Sequence, residues 1–337
     1  MPGKKIEVAY FQRKIRKVGN YGVEIIFDDV RSRLKNEINT IACFSTYESS
    51  GLFKRFYNCI EAAFRQKMVN HVTGDINYIG FFLGKGRTIH TVLDCVFLDR
   101  TSGIKHKVLK LFWLTIPIRR SKYITAISES TKREILKYSG CTPEKIIVIP
   151  VAISQKFVRY DKTFNKGNPV ILQIGTAPNK NVPALINALK GVPCRLHIVG
   201  KREEAYEQQL KDCGIDYLYQ SGLTEEEMLQ KYREADIISF ASTYEGFGMP
   251  ILEAQATGRV VVTSNLSSMP EVAGEGACLV DPFSEQAIRQ GILKVIENDR
   301  YREELITKGF ENIKRYQPDY IARQYLELYK QTAGSLS

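Results

Sequence analysis

The stretch DIISFASTYEGFGMPILEAQATGRVVVT, residues 236–263, decides the fold. Asp236 to Phe240 is a short β-rich run, Pro250 opens a helical pattern that Gly258 stops, and Val260 to Thr263 is β-rich again. A strand, a glycine-rich turn, a helix and a second strand form one parallel crossover, because strands pairing in parallel need a connection of helix length. The same alternation continues on both sides, with Val170 to Ile174, Arg195 to Val199 and Asp216 to Tyr219 before it and Ala277 to Val280 after it. Between these runs lie helix signals: Asn181 as a cap with Pro183 in the first turn, Glu203 to Cys213 closed by Gly214, and Thr224 with Glu227 as a capping box. Strict alternation predicts a doubly wound parallel sheet.

The first half follows a looser version of the pattern. Ile6 to Phe11, Ile38 to Phe44, Arg87 to Leu93, Tyr123 to Ile127 and Lys145 to Ile149 read as strands. Helices are expected at about Val23 to Lys35, Leu52 to Met68, Lys105 to Pro117 and Ser130 to Tyr138. Pro150 to Lys166 is polar, has no period and reads as a linker. The 337 residues suffice for two cores. The expected architecture is therefore α/β, with two Rossmann-like doubly wound domains facing across a cleft. Their expected limits are residues 1–153 and 154–317, with a last helix in 318–337 packing back on the first domain.

Charge divides the chain more sharply than composition does. Residues 1–158 hold 27 basic and 13 acidic side chains, net +14, and residues 159–337 hold 21 and 24, net −3. Such asymmetry points the first half toward an anionic surface. Two aromatic stretches with basic flanks lie there: Leu52, Phe53, Phe56, Tyr57, Ile60 and Phe64 near Lys54, Arg55, Arg65 and Lys67, and the run from Lys105, Lys107 and Lys110 through Phe112 and Trp113 to Arg119, Arg120 and Lys122. Either could be a membrane-contacting face or an ordinary core face with solvated flanks. Val108 to Ile118, the most apolar run, is too short to span a bilayer, so any membrane contact is expected to be peripheral. No signal-peptide pattern precedes the first strand, and the seven scattered cysteines contain no Cys-x-x-Cys pair. That usage reads as reduced thiols in a cytoplasmic protein.

Two loops carry the chemistry. The first is Ser242 to Ala254, at the carboxyl end of a predicted strand. Gly246 and Gly248 permit close backbone approach there, and the free amides at the start of the following helix form an anion site. Glu253, expected in the first helical turn, and Glu245 could flank one ligand, contacting sugar hydroxyls rather than phosphate. Taken alone, the pair reads as a helix-dipole partner and a solvated loop charge; the Gly-x-Gly-x-Pro and strand context favours the ligand reading. The second loop is Ile174-Gly175-Thr176-Ala177-Pro178-Asn179-Lys180-Asn181, where Gly175 turns the chain and Lys180 offers a cation to phosphates. There is no Asp-x-Asp, and the four histidines form no ligand cluster, so no metal or other cofactor is expected.

With these motifs, the chain resembles the family 4 retaining glycosyltransferases of the two-domain GT-B fold. The resemblance rests on the two loops above, on Gly19-Asn20-Tyr21-Gly22-Val23-Glu24, and on Ile124-Thr125-Ala126-Ile127-Ser128-Glu129-Ser130-Thr131-Lys132. It implies that Glu245 lies near the transferred sugar and that Glu253 bonds the nucleotide ribose. It also implies that Lys180 binds phosphate, with Gly175, Thr176, Asn181 and the backbone of Gly246, Phe247, Gly248 and Met249 around the donor. Two positions depart from the family pattern. Thr176 stands where many members have an arginine, and Leu93, before Asp94, stands where many have a histidine. His90 falls on the opposite strand face from Leu93, so Gly22, His71 and Asp94 are left as the acceptor-side or cleft candidates.

The expected activity is transfer of a hexose from a nucleotide diphosphate sugar to a glycan or lipid-linked acceptor, with retention and without metal, in bacterial surface polysaccharide synthesis. The expected location is the cytoplasmic face of an anionic membrane. A nucleotide-sugar epimerase on the same fold is one alternative. A non-catalytic basic protein that binds nucleic acid is another, although no recognised nucleic-acid motif is present and no nucleic-acid partner is expected.

Overall fold

Six parallel strands form the first sheet: β1 (Glu7–Gln12), β2 (Asn39–Phe44), β3 (Val69–Val72), β4 (Thr88–Val92), β5 (Tyr123–Ala126) and β6 (Ile146–Val148). Their spatial order is β2-β1-β3-β4-β5-β6. The second sheet contains β7 (Val170–Ile174), β8 (Arg195–Val199), β9 (Asp216–Gln220), β10 (Ile237–Phe240), β11 (Val260–Ser264) and β12 (Cys278–Val280), in the order β12-β11-β10-β7-β8-β9. The computed structural model describes residues 5–14, 22–99 and 101–334. The chain divides into two units, residues 1–152 with 318–337, and residues 153–317. The first boundary lies one residue before the expected one.

In each sheet the strand order reverses once. The reversal falls between β1 and β3 in the first and between β7 and β10 in the second. At such a point the connections on either side leave in opposite directions, opening a crevice outside the carboxyl ends of the two strands. The register Ile237 to Ile171 and Ser239 to Gln173 aligns β10 with β7. The loops that follow these two strands therefore emerge side by side.

Each sheet has its own core. In the second unit, Ile171, Leu196, Ile198, Ile237 and Val262 pack against Val182, Leu185, Ile186 and Leu189 of the helix Val182–Leu189 and against Ile292 and Val295. In the first, Val8, Tyr10, Val69 and Ile89 meet Phe27, Val30 and Leu34 of the helix Gly22–Leu34 and Ile321, Tyr325 and Tyr329 of the closing helix Pro318–Gly334. Full burial of each such side chain contributes roughly 1.5–3 kcal/mol.

Three local departures from the sequence reading have physical causes. Strand β3 was not anticipated, because Val69-Asn70-His71-Val72 is buried on both faces with two polar residues in its middle and shows neither alternation nor an apolar run. The helix expected over Lys105 to Pro117 is three pieces: α-helix Gly103–Leu109, π-helical turns over Lys110–Thr115 and α-helix Ile116–Arg120. Pro117 has no amide hydrogen to continue the usual ladder, and the bonding shifts to wider turns just before it. The Leu52 helix ends at Phe64, and its apolar stripe faces outward, with Leu52 81%, Phe53 92% and Phe64 87% exposed. The core-face reading of that stripe is thereby corrected. Among the described residues, no helix is long and apolar enough to cross a membrane.

Candidate functional site

The loops after β7 and β10 meet at the strand-order reversal of the second sheet. Gly175 turns the chain at φ 85°, a left-handed value that a side chain resists. A Cβ there would lie 2.9 Å from Lys180 Cε, so the lysine stem folds back across the glycine. Lys180 Nζ then sits 4.5 Å from the centre of the Phe240 ring and 2.6 Å from Glu245 Oε1. Asn179, which the sequence reading did not single out, ties the two loops: its Nδ2 donates to Tyr244 O at 3.0 Å and to Glu245 Oε1 at 3.3 Å, and its carbonyl accepts the Thr243 amide at 2.8 Å. Lys180 and Glu245 keep 19% and 15% of their side-chain surface exposed. The pair is held in place and remains open to a ligand.

A second set of bonds supports the Glu245 loop from below. Ser267 and Ser268 hydroxyls donate to the Glu245 carbonyl at 2.6 and 2.9 Å, and Ser268 also donates to the Phe247 carbonyl at 2.6 Å. Phe247 is buried, edge-on to Tyr316 at 5.9 Å, so only its backbone belongs to the loop surface. Gly248, at φ 115°, leads into the helix Met249–Thr257, with Pro250 in its first turn and Gly258 at φ 75° ending it. Asn181 also adopts a left-handed φ of 58°. It stands at the N-cap position of the next helix, as expected, but its side chain makes no capping bond; its amide donates to Ala241 O at 3.2 Å and Pro282 O at 2.6 Å. Thr176 is buried beneath Gly200 and donates to Lys201 O at 2.8 Å. It is thus a neutral packing residue of this loop.

Glu253 departs from its expected place. The helix begins at Met249, which puts Glu253 in its second turn, and its carboxylate accepts a hydrogen bond from the hydroxyl of Tyr232 on the helix Glu225–Glu234. Burial raises the Glu253 pKa to about 7, opposed by the Tyr232 bond. Glu245 and Glu253 therefore have different partners. Tyr232, itself fully buried and edge-on to Phe157 at 5.2 Å, carried no sequence signal because it reads as one more apolar position of its helix.

In the first unit the structure separates the remaining candidates. His71 is fully buried, with Nδ1 2.8 Å from the Tyr329 hydroxyl and Nε2 2.8 Å from Thr91 Oγ1, which in turn lies 2.7 Å from Thr125 Oγ1. Burial lowers its pKa to about 3, so the ring is neutral. His71 is a core residue, and its assignment to the cleft is corrected. His90 is likewise buried between Ser121 Oγ at 2.5 Å and Asn77 O at 3.2 Å. Asp94 follows β4 and accepts the Val96 amide at 3.1 Å, organising the turn that follows Leu93. Gly22 is the first residue of its helix, while Gly19, Asn20 and Tyr21 lie outside the described residues. Among the described residues, no three His, Cys, Asp or Glu side chains form a group able to hold a metal ion.

Comparison with known proteins adds an independent line. The family model described as glycosyl transferases group 1 matches residues 154–312, the stretch that holds both loops. An O-antigen chain mannosyltransferase B of Escherichia coli is 29% identical over 235 residues, covering 62% of this chain and 61% of that protein. A serotype-specific mannosyltransferase WbdA of the same organism is 26% identical over 210 residues, 55% of this chain and 26% of the relative. The chain thus spans less than two thirds of these curated relatives. Anabaena HepE, solved in complex with UDP and glucose, superposes with a TM-score of 0.77 at 15% identity, covering 97% of this chain and all of that one. Residues 154–312 thus match the glycosyl transferases group 1 family model, and the chain has the GT-B fold.

Proposed function

We propose that the protein is a retaining glycosyltransferase that moves a hexose from a nucleotide diphosphate sugar to a glycan or lipid-linked acceptor in the assembly of a bacterial surface polysaccharide. The observation that carries this reading is the Lys180–Glu245 pair, 2.6 Å apart across the β7 and β10 loops, beside the amino end of the helix Met249–Thr257. Cleaving a sugar from a diphosphate places negative charge on the departing oxygens. A fixed cation and the amide dipoles at the amino end of a helix stabilise that charge without having to reorganise. In this reading Lys180 meets the phosphates, Glu245 faces the transferred sugar, and Glu253 accepts hydrogen bonds from the ribose. Gly175, Thr176, Asn181, Gly246, Phe247, Gly248 and Met249 line the donor. Lys180 and the amides supply the charge compensation, so transfer proceeds without metal, on the front face and with no covalent intermediate on the enzyme.

The mannosyltransferase relatives favour mannose as the hexose, and the UDP and glucose complex of HepE supports a nucleotide-sugar donor. The net +14 of residues 1–158, with the outward aromatic stripe, supports peripheral contact with the cytoplasmic face of an anionic membrane. The test is a thermal-shift panel of UDP, GDP, dTDP and ADP with matching sugar nucleotides, run with EDTA and repeated on Lys180→Ala. Selective stabilisation that survives EDTA and vanishes in the variant is expected. No shift with any nucleotide would overturn the donor-site reading.

A further inference from the structure

The first unit contains an apolar cavity of about 350 Å³ that the donor-side chemistry does not use. Its walls are aromatic pairs: Phe81 stacked on Phe112 at 5.6 Å, Phe56 edge-on to Phe82 at 6.1 Å, and Tyr78 against Trp113 at 5.3 Å. Cys59 and Val108 complete it. The π-helical turns over Lys110–Thr115 form one wall through Phe112 and Trp113, and such turns recur at functional sites. The mouth is open: Leu52, Phe56, Phe82 and Val108 are 81%, 58%, 46% and 47% exposed. Phe53, Phe64 and Ile104, on the helices Leu52–Phe64 and Gly103–Leu109 that carry mouth residues, are each more than four-fifths exposed.

Two features say what fits. Arg55 and Tyr78, two polar side chains of the lining, are already engaged. Arg55 donates to Ser49 O at 2.9 Å and lies 4.5 Å over Trp113, and the Tyr78 hydroxyl accepts from Asn58 at 3.1 Å. A peptide entering the cavity would bury backbone groups without partners, whereas a hydrocarbon chain has none to satisfy. On the rim helices, Lys54, Lys107 and Lys110 have no ion-pair partner among the described residues, which complements an anionic head group. We infer that this cavity receives one hydrocarbon tail of an anionic membrane lipid, with its phosphate at the rim lysines. The volume holds roughly ten methylene groups at the packing density of protein interiors. The inference rests on the membrane-facing reading of this domain and deepens it from a surface to a site.

Trp113 is the single tryptophan of the chain and lines the cavity, so its emission reports on the occupant directly. The experiment mixes the full chain with vesicles of phosphatidylglycerol and phosphatidylcholine whose acyl chains are brominated or plain. Co-sedimentation and Trp113 emission are read together. The expected result is co-sedimentation with both vesicles and loss of emission only with the brominated ones. Val108→Phe at the mouth, or Cys59→Met inside, should keep co-sedimentation and restore emission. A combined Lys54→Glu, Lys107→Glu and Lys110→Glu variant should lose both signals. Co-sedimentation without quenching, or quenching unchanged in both filled variants, overturns the tail site while leaving the membrane reading intact. Absence of co-sedimentation overturns both. A dimer in solution that dissociates when Phe53 and Phe64 are made polar would show a second copy as the occupant and overturn the lipid assignment.

Discussion

The two domains are built alike and use their polar groups in opposite ways. In the first, His71, Thr91 and Thr125 form a chain that closes on Tyr329 of the last helix, leaving the histidine fully buried. In the second, Lys180, Asn179 and Glu245 form a chain of similar length at the loop edge, and its charged members stay partly exposed. Both sheets are parallel, and each reverses strand order once. The difference comes from the helix Pro318–Gly334, which covers one cluster and gives the first sheet a closed core. A closed network stabilises the fold, while an open one keeps bonding capacity for a ligand.

Substitutions should separate the two clusters, and the largest effect is expected in the closed one. His71→Ala leaves a cavity and strands the Tyr329 and Thr91 hydroxyls, which should cost about 2–5 kcal/mol in stability, read from denaturant midpoints. Nucleotide affinity should be unchanged. Lys180→Ala should do the reverse, weakening nucleotide-sugar binding by about 1.5–3 kcal/mol, or roughly 10- to 150-fold by calorimetry. Its effect on stability should stay within about 1 kcal/mol, because the pair it breaks is partly solvated. Equal effects of both variants on stability and affinity would erase the distinction.

The two glutamates proposed to meet the donor should divide. Glu253→Ala is expected to weaken binding of the free nucleotide, and Glu245→Ala to lower turnover, each by about tenfold, or about 1.4 kcal/mol. The opposite pattern in paired binding and kinetic measurements would exchange their roles. Glu253 also predicts a pH signature. Burial raises its pKa to about 7, so the folded protein keeps this proton where the unfolded chain has lost it. Stability from this group therefore falls as pH rises from the ordinary carboxylate range to about 7. If Glu253 accepts from the ribose as proposed, nucleotide binding should strengthen over the same range. The Tyr232 hydroxyl favours the charged form, so Tyr232→Phe should move the binding midpoint to higher pH. An unmoved midpoint would detach Tyr232 from the site.

The smallest effect concerns two apolar helix stripes that look alike on paper. Phe53→Ser or Phe64→Ser on the outward stripe should change stability by no more than about 0.5 kcal/mol. Leu185→Ala in the buried helix Val182–Leu189 should cost about 2–5 kcal/mol. A large loss from Phe53→Ser would mean that the stripe packs against something in the folded protein.

Most of the second domain was legible because its signals are local. Val170–Ile174 and Arg195–Val199 were read to the residue, and the Thr224 to Glu227 capping box formed as expected. The glycine stops at Gly214 and Gly258 work through a positive φ that needs no distant partner. The first domain was harder to read. The polar centre of β3 is stabilised by bonds to other elements, which no window along the chain contains. The same reason hid Asn179, Ser267, Ser268 and Tyr232, whose contributions are bonds to residues 21 to 66 positions away.

The sequence by itself determined the alternation of strands and helices, the glycine turns, the charge asymmetry and the two loops that carry Lys180 and Glu245. Periodicity, backbone preference and side-chain charge are properties of neighbouring residues, so they survive without a fold. Only the tertiary structure decided that His71 belongs to the core, that Glu253 answers to Tyr232, and that the stripe from Leu52 to Phe64 faces outward. Burial depends on what the rest of the chain brings to a side chain. For His71 that is a hydroxyl 258 residues away, and for the Leu52 stripe it is an open cavity mouth instead of a covering element.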